Sequence, residues 1–170
     1  MIAYIFVRSG IDWFEPSYTD KKEPSALLGD FKSYESISNV QAQLKEIGLT
    51  GRITWPTNGP PEDGKARLLV KSFKVCEKSG DLSLFFLNDR LEETIFFPES
   101  TEPFLSTFKK QYSLSFDVTN AVHVSPHTIA ELNFRTTKQD KKSKPVISFF
   151  DERLKREDNA WEMHRIAGKQ

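Results

Sequence analysis

Hydrophobic and polar positions alternate along the middle of the chain, as is typical of half-buried β-strands. Residues 66–77 and 82–87 are separated by the polar run 78–81, and this pattern predicts a β-hairpin with its turn at 78–81. A third strand is predicted at 93–97, after a turn at 88–90. Because these strands follow one another through short turns, they predict an antiparallel meander.

Four further segments are rich in β-branched and aromatic residues, which favours strands. They are Ile2 to Val7, Phe116 to Val124, Thr128 to Thr136 and Val146 to Phe150. Adjacent Phe pairs occur at 85–86, 96–97 and 149–150. A strand that carries two neighbouring large apolar residues is expected to be covered at least in part on both faces.

Two helices are predicted where apolar residues recur at spacings of three and four. The first starts at a cap formed by Ser36 or Ser38, runs to about Ile47 and is expected to end at Gly48. The second starts near Thr101, with Pro103 in its first turn. Its predicted buried face consists of Phe104, Leu105, Phe108 and Tyr112.

Two other segments carry weaker helical signals. A short helical turn is expected at 26–28, inside a loop with several Pro and Gly residues. The charged segment at about 151–170 is rich in helix formers, but Leu154, Trp161 and Ile166 are too widely spaced to form an apolar stripe. It is therefore predicted to be helical or frayed.

Together these elements predict an α+β fold. We expect a mostly antiparallel sheet of about five to seven strands with two or three helices packed against it. The length of 170 residues fits one globular domain spanning 1–170. The hydrophobic fraction of 38% is that of a folded protein, and fourteen Phe predict a core built largely from aromatic rings.

Charge and cysteine content narrow the classes of function and location. The chain has 24 Lys plus Arg and 24 Asp plus Glu, so it lacks the basic excess that is usual in nucleic-acid-binding proteins. The single Cys76 excludes an internal disulfide and a zinc site with four cysteines. A signal peptide and an apolar run of about 20 residues are both missing, so we expect a cytoplasmic protein that does not enter a membrane.

Motifs for catalysis, metal binding or cofactor binding are weak. His123 and His127 are four residues apart, but Pro126 lies between them and opposes the helix that would align them for zinc. The adjacent acids Glu92 and Glu93 are interpreted as a solvated strand end or turn, and Cys76 as a small buried apolar residue. We therefore predict no catalytic residues, no metal site and no cofactor.

The segment Trp55–Gly64 is the best candidate for a contact surface. It contains three prolines and two glycines, so it is a stiff loop that loses little entropy on binding. Large aromatic side chains in loops can act as interface anchors. The predicted partner-binding residues in this loop and near the N-terminus are Trp13, Phe14, Trp55, Asn58, Glu62 and Asp63.

Three functions follow, in order of preference. The first is a non-catalytic intracellular protein that binds another protein, as inhibitors and toxin-neutralising immunity proteins do. The second is a small hydrolase or nuclease that uses His123 or His127 with nearby acids. The third is nucleic-acid binding through the basic segment 135–156, which would make affinity steeply dependent on salt.

Overall fold

The computed structural model describes residues 22–54, 64–100, 104–116, 120–136 and 144–167, with side chains described as far as Met163. Within these residues, seven strands form one sheet in which every neighbouring pair is antiparallel. The strand order is β1-β2-β3-β4-β7-β6-β5. The strands are β1 (Gly51–Thr54), β2 (Lys65–Val75), β3 (Lys78–Leu87), β4 (Arg90–Pro98), β5 (Ala121–His123), β6 (Thr128–Arg135) and β7 (Lys144–Asp151).

Three helices accompany the sheet in the described part of the chain. They are α1 (Ile37–Glu46), α2 (Phe104–Gln111) and α3 (Glu152–Ala167). The α+β fold and the antiparallel sheet predicted from the sequence are therefore confirmed. The prediction of a single domain over 1–170 stays a prediction.

The core face of the sheet carries the main apolar cluster. Side chains that point to this face alternate along the strands, as Leu68, Leu84 and Phe96 do, and all three are fully buried. Helices α1 and α2 cover the face, and aromatic rings form much of the contact, since Phe104 of α2 lies 5.6 Å from Phe96 between ring centroids. Phe108 meets Phe149 edge-on at 6.2 Å.

Helix α1 begins and ends where the sequence predicts. The Ser36 side chain accepts a hydrogen bond from the backbone N–H of Asn39, as an N-cap does. Gly48 follows the helix with a φ of 73°, and the N–H of Leu49 bonds to the carbonyl of Leu44. This left-handed glycine satisfies the carbonyls of the last turn and reverses the chain.

The β2–β3 hairpin forms as predicted, but its turn was placed wrongly. The turn residues are Cys76 and Glu77, both with positive φ (50° and 61°), whereas residues 78–81 belong to β3. Gly80 suggested a turn, yet it lies in the strand where a Cβ would overlap the ring of Phe96. Its missing side chain makes room for that ring rather than for a bend.

The predicted helical turn at 26–28 is wrong. Ala26 instead forms an isolated antiparallel bridge with Lys32, and the N–H of Leu27 donates to the carbonyl of Phe31. Gly29, with a φ of 73°, permits the reversal between them. Leu27, Leu28 and Phe31 are all buried, so this short loop contributes to the core.

Other boundaries differ from the predictions to a smaller extent. Among the described residues of the predicted strand 116–124, Ala121–His123 pair with β6 and Phe116 lies outside a strand, whereas residues 117–119 are not described. Strand β1 was not predicted from the sequence. The predicted strand at 2–7 and the helix start at 101–103 lie outside the described residues. Among the helices described, none is long and apolar enough to cross a membrane.

Candidate functional site

The six residues predicted to contact a partner lie outside the residues that the structure describes. They are Trp13, Phe14, Trp55, Asn58, Glu62 and Asp63. A candidate site must therefore be built from the strands and helices that are described.

The two histidines lie at the two ends of the connection between β5 and β6. His123 is exposed at the end of β5, where it pairs with Ile129. His127 is the last residue of the β5–β6 turn, and its Nδ1 atom is 3.8 Å from the Oε1 atom of Glu152. That separation exceeds a hydrogen bond. Among the described residues, no three His, Cys, Asp or Glu side chains are grouped to hold a metal ion.

The acids Glu92 and Glu93 lie near the start of β4, but Glu92 is not solvated as the sequence suggested. Glu92 is only 4% exposed, and burial raises its pKa to about 7 even though Lys155 lies 3.2 Å away and favours the charged form. Lys155 also binds Glu93 at 3.0 Å. The β3–β4 register shifts next to these residues, which places an extra residue in β4 and turns Glu92 inward.

This buried acid belongs to the contact between α3 and the other face of the sheet, which we call the second face. Lys65 of β2 binds Asp158 at 2.5 Å and Glu162 at 2.8 Å. Arg90 of β4 binds Glu157 at 2.9 Å. Helix α3 is thus held over the end of the second face where β2 and β4 begin.

The opposite end of the second face carries two adjoining grooves. One, of about 310 Å³, is lined by Arg67, Ser83 and residues around them. The other, of about 370 Å³, is lined by Lys144, Val146 and their neighbours. Both include Asp81, Phe97 and Arg135, so the two grooves form one continuous surface. We call this surface the arginine groove.

Arg67 is held firmly at one side of the arginine groove. Its Nη2 group donates a hydrogen bond of 2.7 Å to Ser83 Oγ, and its guanidinium lies 5.2 Å from the centre of the Phe85 ring. The Nε atom is buried without a hydrogen-bond partner. Burial lowers the pKa of Arg67, and the positive charge of Arg135 lowers it further.

Arg135 lines the same groove, although its strand, β6, is distant from β2 in the sheet. It lies at the end of β6, and four strand-to-strand steps of about 4.8 Å each separate β6 from β2 in the sheet. The two arginine side chains nevertheless line one groove and repel each other. For the two guanidinium groups to come this close, the sheet must curl around the groove, or both side chains must extend across it.

Neither arginine has an acidic partner among the described residues. Asp81, one of the two acids that line the groove, is instead bound to Lys71. This contrasts with Arg90 and Arg153, which pair with Glu157 and Asp151. Arg67 and Arg135 therefore bring positive charge to the groove that no ion pair among the described residues neutralises.

The described basic residues of the segment 135–156 lie in two separate groups. Arg135 and Lys144 line the arginine groove, while Arg153 binds the fully buried Asp151 at 2.6 Å. Lys155 is held by the two acids of β4. Strand β7 separates the two groups, and residues 137–143 lie outside the described residues.

The sequence contains only an indirect signal for the arginine groove. Arg67 alternates with the buried Ala66 and Leu68, so it could have been placed on the opposite face of β2. Arg135 lies 68 positions further along the chain, and only the strand order brings it near Arg67.

Comparison with models of protein families and with curated proteins finds no match for the chain.

Proposed function

We propose that this protein is a non-catalytic binding protein whose partner is another protein, and that the partner docks on the arginine groove. One observation carries the proposal. Arg67 and Arg135 line one groove without acidic partners among the described residues, beside the half-exposed ring of Phe97. Arginine and aromatic side chains supply a disproportionate share of binding energy at protein interfaces.

The composition of the arginine groove supports a protein partner. Apolar side chains such as Leu69 and Val146 alternate around the charged groups, which resembles an interface core with a polar rim. The acids Asp81 and Glu99 also line the surface and would repel a polyphosphate chain. An inhibitor or immunity protein in the cytoplasm is one form that such a binding protein takes.

The test is affinity capture from a nuclease-treated native lysate with the tagged full chain. We expect one protein to be retained in stoichiometric amount by the wild type and to be lost with Phe97→Ala or Arg135→Glu. Lys110→Glu is the matched control, because it makes the same charge change at an exposed position of α2, the helix on the core face. Trp55→Ala tests whether the loop predicted from the sequence takes part.

Two outcomes would oppose the proposal. Retention of the same protein by all variants would place its contact elsewhere. If the purified chain turned over a substrate and retained no protein, it would be an enzyme and not a binding protein.

A further inference from the structure

The arginine groove also indicates which chemical group of the partner it recognises. A half-buried guanidinium that faces a second positive charge is unfavourable unless a negative charge lies nearby. Arg67 is in this position, and Asp81, which lines the same groove of about 310 Å³, is held by Lys71. The missing component is one anionic group located between the two arginines.

We propose that Arg67 and Arg135 together bind a single carboxylate group of the protein partner, contributed by an Asp or Glu side chain or by a chain terminus. This inference rests on the proposed function and specifies the chemistry of the same surface. Planar guanidinium groups match the geometry of a carboxylate and bind it through charge-assisted hydrogen bonds.

Arg67 is prepared for this role by its surroundings. The hydrogen bond to Ser83 and the contact with the Phe85 ring hold the guanidinium in one orientation, so little side-chain entropy is lost on binding. Ser83 itself is only 1% exposed, which makes it a fixed support. Arg135 is exposed, so it can move to close over the bound group.

One carboxylate fits this site better than a nucleic-acid strand. Two arginines offset the charge of one anion, whereas a strand would need a row of basic residues along its phosphates. On this surface the acids Asp81 and Glu99 interrupt any such row. The overall charge of the chain, 24 basic against 24 acidic residues, points the same way.

Nuclear magnetic resonance of the arginine side-chain Nε–Hε groups tests the proposal with small probes. Acetyl-glutamate amide supplies a side-chain carboxylate, acetyl-alanine supplies a terminal carboxylate, and acetyl-glutamine amide is the neutral match. We expect saturable shifts of Arg67 and Arg135 with at least one carboxylate probe, at a Kd on the order of 1 mM for ligands of this size. The neutral probe should produce no saturable shift.

Variants at the exposed arginine provide the controls. Arg135→Gln should weaken carboxylate binding about tenfold, as expected for the loss of one charge-assisted hydrogen bond, whereas Lys110→Gln should leave it unchanged. Because Arg135→Gln removes a repulsion, its Tm should be equal to or above that of the wild type. A lower Tm would overturn the proposal, since it would show that the Arg135 charge is already neutralised within the fold.

Two further results would also overturn it. The first is the absence of saturable shifts with both carboxylate probes. The second is tighter, steeply salt-dependent binding of a short oligothymidylate at the same arginines, which would indicate a nucleic-acid surface. If lysate capture depends on Phe97 but carboxylate binding fails, the proposed function stands and this inference falls. If carboxylates bind but no protein is captured, the two arginines form a carboxylate site, and both the proposed function and the assignment of that carboxylate to a protein partner fall.

Discussion

At the scale of single residues, two ionisable side chains of the described structure lie in contrasting environments. Glu92 is almost completely buried with Lys155 beside it, whereas Arg67 is half-buried with a like charge nearby and no acidic partner among the described residues. A buried charge costs stability unless it is paired well. Glu92 belongs to the contact that holds α3, and Arg67 belongs to the surface that we propose binds a carboxylate.

The raised pKa of Glu92 predicts how stability depends on pH. Its pKa is about 7 in the folded state, against 4.5 for an ordinary glutamate, so the folded state favours the protonated form. The resulting stabilisation is complete below the ordinary pKa and is lost as the pH rises through 7. Between pH 5 and pH 8.5 the wild type should lose up to about 3 kcal/mol of unfolding free energy relative to Glu92→Gln.

Urea unfolding of both proteins at the two pH values measures this difference. Glu46→Gln serves as the control, because Glu46 is exposed on α1 and its substitution should leave the pH profile unchanged. Parallel profiles for the wild type and Glu92→Gln would contradict the prediction. They would mean that Lys155 keeps the carboxylate charged across the whole range.

At the scale of elements, the sequence predicts the type and order of the described strands and helices better than their turns. The N-cap Ser36 and the terminal Gly48 define α1 because each solves a local hydrogen-bonding problem. The β2–β3 turn was misplaced because Cys76 and Glu77 rarely adopt positive φ, while Gly80 is required by a ring from the neighbouring strand. That requirement is tertiary and leaves no local pattern.

Strand β1 and the arginine groove were not predicted because they too depend on tertiary contacts that leave no local sequence pattern. Gly51 lies so close to Leu68 that a Cβ at position 51 would clash with the Leu68 side chain. The residue at this position is therefore determined by packing against the neighbouring strand, and the apolar alternation that predicts strands does not show it. The groove combines residues from β2 and β6, which meet only through the order of the whole sheet. Helix α3 gave a weak signal because ion pairs hold it in place of an apolar stripe.

The strained β2–β3 turn predicts a stabilising substitution. Positive φ costs an ordinary L-residue roughly 1 kcal/mol, and Asn-Gly is the pair that type I′ hairpin turns prefer. Replacing Cys76-Glu77 by Asn-Gly should therefore raise the unfolding free energy by about 0.5–1 kcal/mol. Urea unfolding measures the gain, and Ser79→Gly is the control because a glycine within β3 should lower stability. An equal or lower stability of the Asn-Gly variant would contradict the assigned turn.

At the scale of the whole molecule, the two faces of the sheet are covered in physically different ways. On the core face, α2 is held by the buried rings of Phe104 and Phe108. On the second face, the described part of α3 buries one apolar side chain fully, Leu154, and is also fixed by ion pairs to β2 and β4 and by the contact of Lys65 with the Trp161 ring. The two helices should therefore respond differently to salt.

Amide hydrogen exchange tests this difference in one experiment. Raising the salt concentration from 0.05 to 0.5 M shortens the Debye length from about 14 to about 4 Å and weakens the partly exposed pairs of α3. Its amides should lose protection by about threefold to tenfold, as expected when several weak pairs are screened together, while those of α2 should change little because salt does not weaken apolar contacts. Constant protection of α3 would show that Leu154 holds the helix instead, and Leu154→Ala would then release it at either salt concentration.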